Sequence, residues 1–379
     1  MEKTISKKTG MKLVFNKDEL LYGLQIVLSA IATKTTLPVL SNFLIEVKDN
    51  VIKLFSTNLE ISVQTTIKGE ILGEGEVTIP AKKFIEIIKE LPSDSEINIT
   101  ADESLKIDVH CGKIYFSMKG LSREEFPVIP EFGSSKTIVM QKKALDEMFK
   151  KTIFAVSTDE TRYVLNGLYL VIKEGKLVIV ATDGRRLALI EDQIAEQKID
   201  KSVIVPSRTI NELVKLFANV NDEEEIKIQL LDNQIAFRFD NTVVFSRLVE
   251  GVFPNYEQVI PKSSAFQLSI NRDELLAVTK RAALCVMDKG GSVKYNITKG
   301  KLLVAASAHS YVEYKDELDI NYSGTSIEIA FNPVYLLDVL KNIDSKEVFF
   351  EFSSSVNPGV IKPTNNNKFI YIIMPMKIS

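Results

Sequence analysis

The sequence has few of the residues on which most enzymes and metal proteins depend. Its 379 residues include only two cysteines, Cys111 and Cys285, and two histidines, His110 and His309. The cysteines lie far apart, in neither a metal-site spacing nor a disulfide framework, which favours a reducing compartment and predicts a cytoplasmic protein. No arrangement of serine, cysteine or carboxylate repeats around the histidines, so we interpret both as ordinary strand residues. An enzyme that relies on histidine is therefore disfavoured, and we expect no metal site.

Strong net charge and long hydrophobic runs are also missing. The chain has 47 basic and 50 acidic residues and a formal charge of −3, so any basic surface must be local. Charges interrupt the apolar runs within about ten residues, short of the roughly 18 to 20 that a membrane span requires, and we expect no membrane association. Residues 1–10 contain lysines without a following apolar stretch, which is not the pattern of a signal peptide. We expect them to form a short disordered extension.

One segment of the sequence occurs three times at a constant spacing. Residues 50–57 (NVIKLFST) are similar to residues 175–182 (GKLVIVAT) and 300–307 (GKLLVAAS), each 125 residues further along. Units of this length match whole domains rather than solenoid repeats, which run to roughly 20 to 50 residues. With proline-containing seams at 126–130 and 253–261, the predicted domains are residues 11–132, 133–261 and 262–379.

The same elements are predicted within each domain. A strand leads into a helix whose apolar residues recur every three or four positions, and a second helix and further strands follow. Asn16 and Asn271 are predicted helix N-caps because an acidic residue stands three positions after each. Alternating apolar residues on both sides of residues 232–233 predict a hairpin. Two helices and roughly six to eight strands per domain indicate an α+β fold in which helices cover antiparallel sheets.

Basic residues recur on the predicted helices, Lys142, Arg208 and Lys280 among them. If these helices face one side, they form a basic lining that contacts phosphates without reading bases. The residues alone equally allow ordinary solvated helix faces. Three similar domains could also form half of a closed six-domain ring if two chains associate head to tail, because a repeated heterologous contact can close.

Six segments, in order along the chain, resemble the bacterial family of DNA polymerase III beta subunits, the sliding clamps. They are residues 36–42 (TLPVLSN), 162–167 (RYVLNG), 181–187 (ATDGRRL), 253–256 (FPNY), 331–340 (FNPVYLLDVL) and 373–376 (IMPM). The resemblance extends from Met11 to the C-terminus. It implies a head-to-tail homodimer of clamp-type domains that encircles double-stranded DNA independently of sequence. It further implies a non-catalytic subunit of the DNA polymerase III holoenzyme, without catalytic residues or cofactors.

The resemblance also implies a pocket between the second and third domains for short linear motifs. Its expected ligands come from the polymerase III alpha subunit, the clamp loader, and other polymerases and repair proteins. Aliphatic and methionine side chains suit a leucine or phenylalanine of such a motif. Arg185 and Gln258 depart from the histidine and arginine common at these positions and are expected to alter the preferred flanking residues. The matching positions are Leu165, Thr182, Gly184, Arg185, Arg186, Leu187, Pro254, Gln258, Val259, Asn332, Tyr335, Val356, Pro358, Ile372, Ile373, Met374, Pro375 and Met376.

Two further surfaces follow from the resemblance. The first and third domains of different chains are expected to meet through Phe116 and Met118 on a strand and Leu284 and Cys285 on a helix. For these four residues, burial in the core of their own domain is the alternative interpretation. The expected DNA-contacting residues are Lys34, Arg162 and Tyr163 from the resemblance, with Lys142, Arg208 and Lys280 added from helix charge.

Two alternative functions remain open from the sequence. One is a monomeric scaffold that collects partners through the same pocket without encircling DNA. The other is a hydrolase or transferase that recruited the triplicated fold, for which the sequence offers no nucleophile, base or metal cluster. Asp183 is not interpreted as an aspartyl catalyst, because Asn58 and Ala308 occupy the equivalent positions; a turn completed by Gly184 explains it better.

Overall fold

The structure is a computed structural model that describes residues 10–32, 34–133, 137–194, 199–286, 291–308, 312–366 and 368–377. Two predictions fall largely outside these ranges: the disordered extension, of which only Gly10 is described, and the strand position of His309. All counts of elements below refer to the described residues.

Each repeat contributes the two predicted helices and eight or nine strands, so the first repeat has one strand more than the predicted six to eight. The first repeat contains β1 (Met11–Asn16), α1 (Lys17–Leu28), β2 (Asn42–Lys48), β3 (Val51–Thr57), β4 (Ile61–Ile67), β5 (Glu70–Gly73), β6 (Gly75–Pro80), α2 (Ala81–Glu90), β7 (Glu96–Ala101), β8 (Lys106–Cys111) and β9 (Ile114–Lys119). The second contains β10 (Thr137–Gln141), α3 (Lys142–Lys150), β11 (Gly167–Lys173), β12 (Lys176–Thr182), β13 (Arg186–Gln193), β14 (Lys201–Pro206), α4 (Ser207–Phe217), β15 (Glu225–Leu230), β16 (Gln234–Phe239) and β17 (Thr242–Arg247). The third contains β18 (Phe266–Asn271), α5 (Arg272–Ala283), β19 (Val293–Thr298), β20 (Lys301–Ala308), β21 (Val312–Asp319), β22 (Ile327–Phe331), α6 (Pro333–Lys341), β23 (Glu347–Phe352), β24 (Gly359–Pro363) and β25 (Phe369–Ile373).

The chain forms two compact units, and the first comprises residues 1–142 and 215–248. It holds a five-stranded sheet, β5-β1-β7-β8-β9, and an eight-stranded sheet, β10-β15-β16-β17-β4-β3-β2-β6. Apolar residues of α1 and α2, such as Leu24 and Phe84, are buried against Leu13 and Leu54 of these sheets in one core. The predicted hairpin is confirmed: β15 and β16 pair antiparallel, with Ile228 opposite Phe237.

The second unit comprises residues 143–214 and 249–379. Its eight-stranded sheet runs β14-β11-β12-β13-β25-β24-β23-β18, and its four-stranded sheet runs β21-β20-β19-β22. Tyr295, Phe331 and Phe350 are fully buried, with ring centroids 5.5 to 6.1 Å apart from one to the next. These aromatic residues form much of the interior on which α5 and α6 pack.

Two ladders join strands of different repeats. In the first unit, β17 pairs with β4, and the buried hydroxyls of Thr65 and Thr242 are 2.9 Å apart across this ladder. In the second unit, β13 pairs with β25, which places Leu187 opposite Ile372. The repeats therefore do not pack as separate units. The boundaries predicted at residues 132 and 261 divide the sequence into repeats and do not coincide with the limits of the two compact units.

Both predicted N-caps form. The side chain of Asn16 accepts a hydrogen bond from the Asp18 amide at 2.9 Å, and that of Asn271 accepts from two amides in the first turn of α5. Glu19 does not close the box around Asn16; its carboxylate accepts instead from the Lys68 amide at 3.1 Å. The acidic residue of the first box thus fastens the helix to a neighbouring loop.

Candidate functional site

The second unit contains a small cavity, which we term the aliphatic pocket, beside the β13–β25 ladder. Its volume is about 140 Å³, and most of its exposed lining is apolar. The lining residues are Leu165, Thr182, Gly184, Arg185, Arg186, Leu187, Pro254, Asn255, Tyr256, Val259, Ile372 and Met374. All but Asn255 and Tyr256 are among the predicted positions. Asn255 and Tyr256 were not predicted to line a pocket. They lie in the segment 253–256, and its aromatic residues are the sequence feature that could have indicated their role.

A tight turn between β12 and β13 shapes one side of the aliphatic pocket. The Thr182 hydroxyl donates to the Arg186 carbonyl at 2.6 Å and accepts from the Gly184 amide at 3.0 Å. The Asp183 carboxylate accepts from the amides of Arg185 and Arg186 at 2.9 and 3.1 Å. Gly184 has φ of +84°, a conformation that favours glycine. Asp183 therefore has the role of a turn residue, as interpreted from the sequence.

Arg186 holds this wall in place through its buried guanidinium group. Its side chain is 11% exposed and forms ion pairs with Asp183 at 3.0 Å and Asp338 at 2.6 Å. It also donates to the Phe154 carbonyl at 2.7 Å and lies over the Tyr335 ring at 4.7 Å. A planar guanidinium that bonds through all three of its nitrogens fixes the surrounding backbone. Tyr335 thus contacts Arg186 and does not itself line the aliphatic pocket.

Stacked aromatic rings position the other side. Tyr169 of β11 stacks on Phe253 with ring centroids 4.5 Å apart and meets Tyr256 edge to face at 6.2 Å. Burial raises the pKa of Tyr256 above its ordinary value, with Glu257 as a lesser cause. The Tyr256 hydroxyl therefore stays protonated at neutral pH and remains a hydrogen-bond donor at the cavity.

The other predicted pocket residues do not line the cavity, although all lie in the same unit. Ile373 is buried in β25, Asn332 caps α6 by accepting from the Val334 amide at 2.9 Å, and Val356 is 78% exposed. The Met376 amide donates to the Ala330 carbonyl at 2.8 Å, which holds the segment after β25 against β22. Three of these residues, Gln258, Pro375 and Met376, are exposed or half-buried next to cavity-lining positions in sequence, and Pro358 is half-buried just before β24.

The predicted DNA-contacting residues differ in how available they are. Lys34, Arg208 and Lys280 are exposed, and Tyr163 is 57% exposed. Arg162 donates to the Asp159 carboxylate at 3.2 Å and to the Asp183 carbonyl at 2.8 Å, next to the aliphatic pocket.

Lys142 is a poor candidate for DNA contact. It is 6% exposed, and its ammonium group lies 2.8 Å from Asp222. A buried, paired cation has little access to phosphate, and we do not propose Lys142 as a DNA contact.

The residues predicted for the subunit contact lie at sheet edges or in a turn. Phe116 is 36% exposed on β9, the last strand of its sheet, and Met118 packs partly against the core. Leu284 is 81% exposed and Cys285 is half-buried. The prediction that both lie on the helix is wrong by one or two residues: α5 ends at Ala283, Leu284 is its C-cap, and Cys285 follows in the turn.

Neither a metal-binding cluster nor a membrane-spanning helix is found in the described ranges. No three histidine, cysteine, aspartate or glutamate side chains there converge where they could hold a metal ion. None of the helices in the same part of the chain is both long and apolar enough to cross a membrane.

The fold and the pocket define a class: a non-solenoid protein built from three α+β repeats, with an aliphatic pocket where the second and third repeats share a sheet. Family models for the DNA polymerase III beta subunit match in order, the N-terminal domain over residues 11–130, the central domain over 139–255 and the C-terminal domain over 257–377. The chain belongs to this family, the bacterial sliding clamps.

Relatives and solved structures agree with this assignment. The chain is 32% identical to the beta sliding clamp of Chlamydia muridarum over 97% of its own length and 99% of that relative. It is similar to a DNA polymerase III beta subunit from Eubacterium rectale (TM-score 0.92, 33% identity, 97% and 100% of the two chains). It also matches the Pseudomonas aeruginosa sliding clamp bound to griselimycin (TM-score 0.91, 32% identity, the same coverage).

Proposed function

We propose that two copies of this chain close head to tail into a ring around duplex DNA and tether replicative and repair polymerases to it. The ordered match of the three family models over the chain carries this proposal. A closed ring can leave DNA only at an end, so weak phosphate contacts suffice for retention and allow sliding. In this role the chain is a non-catalytic subunit of the DNA polymerase III holoenzyme, acting in the cytoplasm of a bacterial cell.

The aliphatic pocket is proposed to receive a short linear motif of each partner, including the polymerase III alpha subunit and the clamp loader. Its volume of about 140 Å³ is below the roughly 300 to 1,000 Å³ of pockets for drug-sized ligands and suits one or two side chains. Leu187, Ile372 and Met374 offer an apolar surface for leucine or phenylalanine. Arg185 is exposed at the rim and favours an acidic flanking residue in the motif.

A peptide-binding measurement tests the pocket. Fluorescence anisotropy with a labelled peptide that contains adjacent leucine and phenylalanine should give about tenfold weaker binding to Met374→Ala, a loss of about 1.4 kcal/mol. Met374 is 41% exposed, so this change is not expected to disturb the fold. The matched control is Val252→Ala, at an 88% exposed valine that does not line the pocket. Equal affinities for the two variants would contradict the assignment.

The subunit contact is proposed to join β9 of one copy to β21 of the other. Each is the last strand of its sheet, and an exposed strand edge is a template for pairing with another chain. Charge supports the match, because Lys113 and Lys119 are exposed at β9, whereas β21 exposes three carboxylates, Glu313, Glu317 and Asp319, and one lysine, Lys315. Apolar contact is proposed for Phe116, Met118, Leu284 and Cys285.

DNA contact is proposed to be distributed over Lys34, Arg162, Tyr163, Arg208 and Lys280. The protein has a net charge of −3, so its attraction to DNA must come from these local side chains. Because phosphate contacts are salt-dependent, association with a short linear fragment should weaken steeply as the salt concentration increases. Each single substitution should have a small effect. Binding that is insensitive to salt would contradict a phosphate-contacting surface.

Retention on circular DNA tests encirclement. Labelled protein placed on a nicked plasmid by a clamp loader and ATP should co-elute with the circle and be lost when a restriction enzyme linearises it. Equal loss from both forms would overturn the ring. Light scattering separates the ring from a monomeric scaffold, because the ring has twice the chain mass of 42.5 kDa. An assay for turnover without partners would expose a hydrolase or transferase.

A further inference from the structure

The two ladders that join neighbouring repeats have the same register. In the first unit, β4 pairs with β17, and Val63 lies opposite Val244. In the second unit, β13 pairs with β25, and Ala188 lies opposite Tyr371. Ala188 is 125 positions after Val63, Tyr371 is 127 positions after Val244, and the neighbouring pairs of both ladders keep these offsets. The second and third repeats are thus joined as the first and second are.

In the third repeat, β21 is the equivalent of β4 and β13. Each of these strands forms a hairpin with the strand before it. The residue that faces the end of the segment occurring three times in the sequence is Leu187 in β13 and Glu313 in β21. Tyr314, one position further, is therefore the counterpart of Ala188 and, through it, of Val63.

In the first repeat, β9 is the equivalent of β17. The strands β7, β8 and β9 pair in succession, as β15, β16 and β17 do. Tyr115 faces a residue of β8 that itself faces the third residue of β7, and Val243 faces a residue of β16 that itself faces the third residue of β15. Phe116 is therefore the counterpart of Val244.

The position that both internal ladders bury is open on β9 and β21. The four residues that face each other there in the two ladders are at most 1% exposed, whereas Phe116 is 36% exposed and Tyr314 is half-buried. Arg281 of α5 donates to the Tyr314 hydroxyl at 2.9 Å, so Tyr314 faces the side of the sheet that α5 covers. Leu284 caps the same helix. An apolar partner for Phe116 is therefore available beside Tyr314 and the end of α5.

The two open strands complete each other. Among the described strands, β9 lacks the partner that β4 provides to β17, and β21 lacks the partner that β17 provides to β4. A second copy of the chain supplies both. We propose, on the basis of the head-to-tail association proposed above, that β9 of one copy pairs antiparallel with β21 of a second copy in the register of the internal ladders, with Phe116 opposite Tyr314.

An ion pair fits this register. Counting along the antiparallel strands from Phe116 and Tyr314, Lys113, just before β9, lies opposite Glu317. Both are exposed; Glu317 also bonds to Lys301 of its own chain, but its side chain is 47% exposed and accessible to a second cation. A shift of the ladder by two residues in one direction would set Lys113 opposite Lys315 instead. Like charges directly opposite one another are destabilising.

The one lysine of β21 also has a suitable neighbour. In the proposed register Lys315 lies opposite Tyr115, which is 50% exposed. The Tyr115 hydroxyl donates to the Asp108 carboxylate at 2.9 Å, on the strand next to β9. Lys315 therefore meets an aromatic ring with a carboxylate beside it, a favourable surrounding for an ammonium group.

Cysteine cross-linking of the full-length protein tests the register. Cysteines are placed at Tyr115 or Ser117 on β9 together with Glu313 or Lys315 on β21, four exposed positions. Cys285→Ser removes the more accessible native thiol, since Cys111 is 4% exposed. The facing combinations are Ser117→Cys with Glu313→Cys and Tyr115→Cys with Lys315→Cys. Facing Cα atoms are about 4.5 to 5.5 Å apart, which a disulfide can bridge.

The other two combinations are matched controls, because each substitution occurs once in a facing and once in a shifted pair. Ser117→Cys with Lys315→Cys and Tyr115→Cys with Glu313→Cys shift the ladder by two residues, beyond the roughly 7 Å limit between Cα atoms. Under mild oxidation the facing combinations should give a product of twice the chain mass of 42.5 kDa that disappears with dithiothreitol. The shifted combinations should react about tenfold more slowly or not at all.

Two results would overturn the register. One is cross-linking of the shifted combinations as fast as the facing ones. The other is no cross-linking of the facing combinations in protein that light scattering shows to be dimeric, which would leave the ring in place. Wild-type protein that is monomeric by light scattering would instead remove the head-to-tail association itself, and the register with it.

Discussion

Replacing Leu284 by alanine should weaken the association of two copies of the chain while leaving the fold of each copy intact. Leu284 is 81% exposed in the single chain, at the C-cap of α5, and makes little contribution to the core. If it is buried by the partner's β9, nearly its whole side chain is transferred from water to an apolar contact. Alanine would lose most of that gain.

The magnitude follows from the exposed surface. Burial of a leucine side chain contributes about 1.5 to 3 kcal/mol, so the substitution should cost about 2 kcal/mol at each contact. A closed ring of two copies has two such contacts. The total of about 4 kcal/mol corresponds to an increase of about a thousandfold in the dissociation constant.

Sedimentation equilibrium over a dilution series measures this constant for wild type, Leu284→Ala and the control Val252→Ala, an 88% exposed valine outside the proposed contact. Circular dichroism establishes that the variants are folded. The control should associate like the wild type. If Leu284→Ala also dissociates like the wild type, the reasoning that places Leu284 in the contact is refuted.

Three further predictions concern stability. Thr65→Val should cost about 1 to 3 kcal/mol of unfolding free energy in urea, because the buried Thr242 hydroxyl loses its partner, and the double valine variant should recover most of it; an additive loss would contradict this. Arg186→Met should cost about 2 to 3 kcal/mol, since two carboxylates lose their shared cation, and an unchanged thermal transition would count against the network. Hydrogen bonds from a tyrosine and an arginine lower the pKa of Asp316 below its ordinary value, so its ionised form stabilises the fold above a pH of about 4, and this contribution is lost as pH falls through the folded-state pKa. Melting temperatures across acidic pH should show less acid sensitivity for Asp316→Asn, and an effect no larger than that of Asp319→Asn, on the same strand, would argue against it.

Local elements were predictable because their signals are local. The asparagine caps, the hairpin around residues 232–233 and the repeat spacing each depend on residues close together or on simple self-similarity. The β4–β17 and β13–β25 ladders were not predictable, because strand partners distant in sequence leave no local pattern. The same limit applies to Lys142, whose partner Asp222 lies 80 residues away.

The candidate site was accessible from the sequence mainly through family resemblance. Composition and periodicity do not distinguish pocket residues such as Leu187 and Ile372 from ordinary core, since both lie in regular strands. Asn255 and Tyr256 were missed, although they stand inside the segment 253–256 that carries part of the family resemblance.

The ladders that join neighbouring repeats determine how this molecule can be dissected. Expression of residues 11–132 alone would remove β17, one of the two partners of β4, and would leave a row of unsatisfied amides and carbonyls beside apolar side chains, which promotes aggregation. Removal of β25 would do the same to β13. Truncated variants would therefore lose solubility, and their phenotypes would not reveal the function of the deleted repeat. Point substitutions in the full-length chain test function more reliably.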